Sequence, residues 1–148
     1  MSTTTAQTTQ VYQVYIRATP EEIWDAITTP EFTARYFHGA RITVTRDHYG
    51  SRSPDGEVWG DAKTFEWDPP RRLSHGWRSM YDDEMAREEE SRVTWEIEPQ
   101  GNGTTLLTVV HDRLEGAPKT AASVSGRGWM GVLSALKTLL ETGEALPL

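Results

Sequence analysis

His75 and His111 each share the parity of apolar residues in an alternating stretch, with Leu73 and Trp77 in one case and Leu107 and Val109 in the other. Imidazoles pointing inward from two strands have two roles open to them. With ordinary pKa values of about 6.5 they could orient a ligand or work as acid and base. They could equally be core histidines whose ring nitrogens are hydrogen-bonded. No third ligand stands at a metal-site spacing from either, so no metal is expected.

The six tryptophans, Trp24, Trp59, Trp67, Trp77, Trp95 and Trp129, are many for 148 residues. Each can bury on the order of 200 Å² and carries an N–H that needs a partner. Such a set either packs tightly or walls a space for a ring-shaped ligand, because pockets combine aromatic walls with a few polar groups. Tyr36 and Phe37 end the second of two helix-like segments, where they could staple the short helices onto the sheet.

Other motifs fall away. Gly126-Arg127-Gly128-Trp129-Met130-Gly131 matches G-x-G-x-x-G, but a dinucleotide site needs a preceding strand in a β-α-β unit and an acidic residue about 20 positions on. These glycines are read as allowing close approach of helix and sheet. Asn102-Gly103-Thr104 reads as a tight turn rather than a glycosylation acceptor. The metalloprotease, P-loop and nucleophile-elbow signatures do not occur, and no cofactor is called for.

The elements that must position these residues are legible in order. Tyr12, Val14 and Ile16 form one face of a strand within 11–17. Thr19-Pro20-Glu21-Glu22 has the form of a capping box with proline at the first helical position, and a short helix burying Ile23, Trp24 and Ile27 follows. Thr29-Pro30-Glu31 starts a second helix, and Gly39 closes it. Ile42 and Val44 alternate in a strand, after which 49–56 is rich in turn residues and holds at most a poorly marked strand. Trp59, Phe65 and Trp67 share a parity in 58–67, which would turn Asp61 and Lys63 inward unless a bulge intervenes. Leu73, His75 and Trp77, then Val93, Trp95 and Ile97, then Leu107, Val109 and His111 mark consecutive hairpin strands. Trp129, Val132, Leu133, Leu136 and Leu140 form the apolar stripe of one long helix. The order is one strand, two short helices, about five or six antiparallel strands and a long helix: an α+β fold without β-α-β alternation.

The chain length suits one domain, expected over 11–148 behind a flexible tail at 1–10. That tail has neither the basic nor the apolar region of a secretory signal, no apolar run reaches membrane-spanning length, and cysteine is absent. A soluble, cytoplasmic protein without membrane partners is expected. The net charge is −7, and Tyr81–Glu90 concentrates six carboxylates against Arg87. That segment reads as a solvated inter-strand loop or, alternatively, a partner-docking surface. No basic stripe suited to nucleic acid exists.

Several stretches together resemble the activator of heat-shock-protein-ninety ATPase homologue family of the START-like, or SRPBCC, superfamily. They are 15–21 with Trp24; Arg35-Tyr36-Phe37 before Gly39-Ala40; 68–73 with Trp77-Arg78; 91–95; and Trp129 with 136–143. The resemblance implies a helix-grip fold, a curved antiparallel sheet wrapped around the C-terminal helix, often with an apolar cavity between them. The segment from Asp47 to Asp55 is shorter than the family's third strand. The resemblance places Tyr36 and Phe37 at the cavity mouth and suggests a role in stress responses.

The leading functional expectation is binding of a hydrophobic or aromatic small molecule. Its expected lining is Phe65, Trp67, His75, Trp77, Trp95, His111, Trp129 and Leu133, with Tyr36 and Phe37 at the entrance. On that basis Trp129→Ala should weaken binding more than folding. A co-chaperone-like module would instead dock a protein partner through the acidic segment. A cyclase- or hydratase-type enzyme would use His75 or His111, and a self-sacrificing resistance protein would offer Gly126, Gly128 or Gly131 for cleavage.

Overall fold

The computed structural model describes residues 7–147, so part of the expected tail, residues 1–6, lies outside the described residues. Seven strands form one antiparallel sheet in the order β1-β7-β6-β5-β4-β3-β2. They are β1 (Gln10–Ile16), β2 (Arg41–Val44), β3 (His48–Arg52), β4 (Val58–Asp68), β5 (Arg72–Trp77), β6 (Ser91–Pro99) and β7 (Thr105–Asp112). Gln10 is buried, and its side-chain amide donates to the carbonyls of Gln7 and Ala121 at 3.0 Å each. Ordered structure thus reaches back past Val11.

Helices α1 (Pro20–Thr28) and α2 (Pro30–Tyr36) separate β1 from β2, as the cap sequences require. Glu22 N–H donates to Thr19 Oγ1 and Thr19 N–H to Glu22 Oε1, both at 3.1 Å, completing the capping box. Thr33 ties α2 to β2: its hydroxyl donates to the Ala40 carbonyl at 2.9 Å and accepts from Ile42 N–H at 2.8 Å. The long helix α5 (Arg127–Thr142) buries Trp129, Val132, Leu133, Ala135, Leu136 and Leu139 in the main core. It ends at Gly143, whose φ of 88° and N–H bond to the Leu139 carbonyl form a left-handed cap.

Three features go beyond the sequence reading. The turn-like 49–56 segment contains β3, bonded to β2 on one side and β4 on the other, so sheet pairing overrides a composition of glycine, serine and arginine. The register of β4 shifts against both neighbours, opposite Ser51/Arg52 and at Thr64/Glu66. Simple alternation therefore fails there: Ala62 is buried, while Asp61, Lys63 and Phe65 are exposed.

The third is the acidic segment, which lies between β5 and β6 with Asp83, Glu84, Arg87 and Glu89 exposed, as expected of a solvated connection, and also acts as a clasp. It holds a helical turn, α3 (Asp83–Ala86), capped by Asp82 Oδ1 accepting from Glu84 and Met85 N–H at 3.0 Å. Glu88 accepts from the N–H groups of Lys119 (2.7 Å) and Thr120 (2.9 Å), and from the Thr120 hydroxyl (2.6 Å). These bonds cap α4 (Pro118–Val124), whose own N-cap residue is Ala117 and brings no side-chain acceptor. Lys119 Nζ reaches back to Asp82 at 3.1 Å, so α3 and α4 are held together by charge as well.

Candidate functional site

Beneath α5 the aromatic residues sort into a closed part and an open part. In the closed part each of two tryptophans is matched to one histidine. Trp95 Nε1 donates to His75 Nε2 at 3.0 Å, so the proton of His75 sits on Nδ1, which donates to the Gly76 carbonyl at 2.7 Å. Trp129 Nε1 donates to His111 Nδ1 at 3.1 Å, which places the His111 proton on Nε2, 2.8 Å from Ser91 Oγ. Ser91 in turn donates toward the Trp77 carbonyl at 3.4 Å. Both imidazoles are wholly buried and both ring nitrogens of each are engaged.

Electrostatics hold them neutral. Burial lowers His75 to about 4, against a small opposing effect of the Gly76 carbonyl. Burial lowers His111 to about 3, with repulsion from His75 adding to it and Asp112 opposing it. Between the two readings left open by parity, the arrangement is that of hydrogen-bonded core histidines, the acceptors that buried indoles need.

The open part lies beside this cluster, between the end of α2 and strands β2 to β5. A cavity of about 310 Å³ is lined by Phe37, Ala40, Ile42, Tyr49, Trp59, Ala62, Trp77 and Tyr81, among others. Phe37 stands between the two parts, its ring 6.2 Å from Trp77 and 6.1 Å from Trp129. Tyr49 lies flat on His75, with centroids 3.7 Å apart and planes within 7°. Trp59 and the exposed Tyr81 meet edge to face at 5.9 Å. The two charged lining residues are engaged elsewhere. Arg78 Nη1 donates to the carbonyls of Ala86 (3.1 Å) and Glu88 (3.2 Å), and Asp61 pairs with His48.

Of the ten residues expected at the site, only Phe37 and Trp77 line this cavity. Phe65 is 47% exposed, because the irregular β4 register turns it outward. Trp67 packs edge to face on Trp24 at 5.0 Å. Tyr36 is a staple: it is buried and its hydroxyl donates to the Ala26 carbonyl of α1 at 2.7 Å. His75, Trp95, His111, Trp129 and Leu133 are core residues. The lining residues that sequence reasoning missed, Tyr49 and Ala62 above all, lie on the turn-like β3 and behind the broken parity of β4. Their one available signal was that Tyr49 and Ala62 are the apolar residues left over if 48–52 pairs with 58–63.

The family model described as "Activator of Hsp90 ATPase homolog 1-like protein" matches residues 17–141. The chain belongs to this family. No curated protein matches it in sequence. Among solved structures, a Mesorhizobium loti protein shares 22% identity at a TM-score of 0.71, over 90% of this chain and 96% of its own. DynU16, a protein of the dynemicin biosynthetic locus, shares 23% at a TM-score of 0.74, over 94% of this chain and 49% of its own. An HSP90 activator from Plasmodium falciparum shares 16% at a TM-score of 0.70, over 91% of this chain and 97% of its own. At these identities the likeness shows the fold.

In this Activator of Hsp90 ATPase homolog 1-like chain the glycines at the start of α5 serve the α4–α5 junction. Gly126, with φ of 54°, is the N-cap. A Cβ on Gly128 would come within 2.9 Å of the Ser123 carbonyl oxygen. The close approach that Gly128 allows is therefore to α4, and Gly126, Gly128 and Gly131 do not line the cavity. Among the described residues no helix is long and apolar enough to cross a membrane.

Proposed function

We propose that this protein binds a small, ring-containing apolar molecule in the cavity lined by Phe37, Tyr49, Trp59, Ala62, Trp77 and Tyr81. The observation that carries the reading is the contrast between this space and the closed Trp–His core beside it. Its volume, about 310 Å³, falls at the small end of ligand pockets, which run from about 300 to 1,000 Å³. Two or three fused rings suit that size. The occurrence of the same fold in DynU16, from a biosynthetic locus, is in keeping with a small-molecule role.

Other readings find less support. Acid–base chemistry by His75 or His111 is disfavoured, because both are buried with both nitrogens engaged. A protein-docking role, suggested by the Plasmodium relative, would use the acidic segment, yet Asp82 and Glu88 there are committed to α3 and α4.

Ala62→Trp tests the reading by filling the cavity from within the sheet. Fluorene binding, followed by tryptophan fluorescence, is expected to weaken at least tenfold while the melting temperature stays within a few degrees of the parent. Unchanged fluorene affinity in a folded Ala62→Trp protein would refute the cavity as the binding site.

A further inference from the structure

Two residues that line the cavity, Tyr49 and Trp77, carry hydrogen-bond donors that the described residues leave without acceptors. Trp77 Nε1 is buried and unpartnered, although Trp95 and Trp129 in the adjoining cluster are each given a histidine nitrogen. Tyr49 is 3% exposed and lines the cavity. Its hydroxyl makes no hydrogen bond among the described residues, whereas the buried Tyr36 hydroxyl is matched to a carbonyl.

The chemistry of these groups restricts what they can meet. An indole N–H only donates. Burial raises the Tyr49 pKa, so the phenol keeps its proton at neutral pH and can donate as well. Filling the cavity with pure hydrocarbon would take water from the Tyr49 hydroxyl and leave Trp77 Nε1, already shut off from water, still without an acceptor. A charged ligand fares no better, because Arg78 and Asp61 already face other partners and an unpaired charge is costly to bury. An uncharged molecule with a carbonyl-type oxygen meets both conditions.

Building on the reading that this cavity is a ligand site, we propose that its ligand is a flat, uncharged, apolar molecule bearing an oxygen acceptor, held by donation from Tyr49 and Trp77. Trp77 Nε1 has no accessible surface of its own. The Tyr49 hydroxyl is therefore the first donor an entering oxygen meets, and donation from Trp77 requires its indole to turn toward the cavity.

The matched pair 9-fluorenone and fluorene tests this, since the two differ by a single carbonyl. The parent protein is expected to bind fluorenone about 3- to 10-fold more tightly, the range a net hydrogen bond supplies. Tyr49→Phe keeps the ring on His75 and is expected to bring the ratio close to one, and Trp77→Phe is expected to reduce it. Should Trp77→Phe fail to fold, the indole N–H resonance of Trp77 in the parent gives the same information: it should move further downfield with fluorenone than with fluorene, which shifts it by ring current alone. Equal binding of the two compounds, or a ratio that survives in Tyr49→Phe with no downfield difference between fluorenone and fluorene at the Trp77 resonance, would overturn the proposal and leave the cavity reading intact. Failure of both compounds to bind would overturn the two together.

Discussion

Trp129→Ala is expected to destabilise the protein by about 4 kcal/mol, the usual scale for removing a buried Trp or Phe side chain. Two losses combine. The indole touches the rings of Phe37, Trp77, Trp95 and His111, with centroids 5.5 to 6.1 Å away, so its removal leaves a void at the centre of the cluster. It also leaves His111 Nδ1 without its donor in a site with no exposed surface. For a domain of this size such a loss lowers the melting temperature by more than about 10 °C. Placement in the core thus reverses the sequence expectation, in which binding would suffer before folding. Trp129→Phe, which keeps the ring volume but not the N–H, should fall between. A urea-unfolding loss below about 1 kcal/mol for Trp129→Ala would contradict this placement.

Mild acid is expected to have a comparable effect without any mutation. The unfolded chain takes up protons on His75 and His111 as pH falls through about 6.5. The folded protein resists until about 4 for His75 and about 3 for His111. Unfolding therefore binds protons in the interval between, and stability falls as pH falls. Each histidine accounts for about 1.4 kcal/mol per pH unit well below 6.5, or about 2 kcal/mol each between pH 6.5 and 5. Carboxylates held below their usual range, such as Asp112 beside Arg92, lose their contribution only nearer pH 4 and below. Urea midpoints at pH 7 and pH 5 measure the histidine effect separately. Equal stability at the two values would mean that the imidazoles are in contact with water.

The frame of the molecule was readable because its signals are local. The capping box at Thr19–Glu22, proline at the start of α1 and α2, the Asn102-Gly103 turn and the Trp129-to-Leu140 stripe each report on neighbours in sequence. The site was less readable because it depends on long-range pairing. β3 is a strand by virtue of bonding to β2 and β4, and only that pairing brings Tyr49 onto His75. Register shifts in β4 place Ala62 inside and Phe65 outside, against an alternation that pointed the other way. Parity did place His75 and His111 inward. It could not show that an indole already occupies one nitrogen of each ring. The helix α4 was hidden for a similar reason, since its cap is Glu88, 31 positions before Lys119.

The central claim is that ligand enters beside the Trp–His cluster and not within it. The indole N–H resonances of the six tryptophans, recorded during a titration with fluorene, test it most directly. Trp59 and Trp77 line the cavity and should shift most, while Trp24 and Trp67, packed on each other, and Trp95, bonded to His75, should stay in place. Saturable shifts confined to Trp59 and Trp77, with at most a small secondary change at Trp129, are the predicted result. Shifts centred on Trp95 and Trp129, or no saturable shift at any indole, would contradict it.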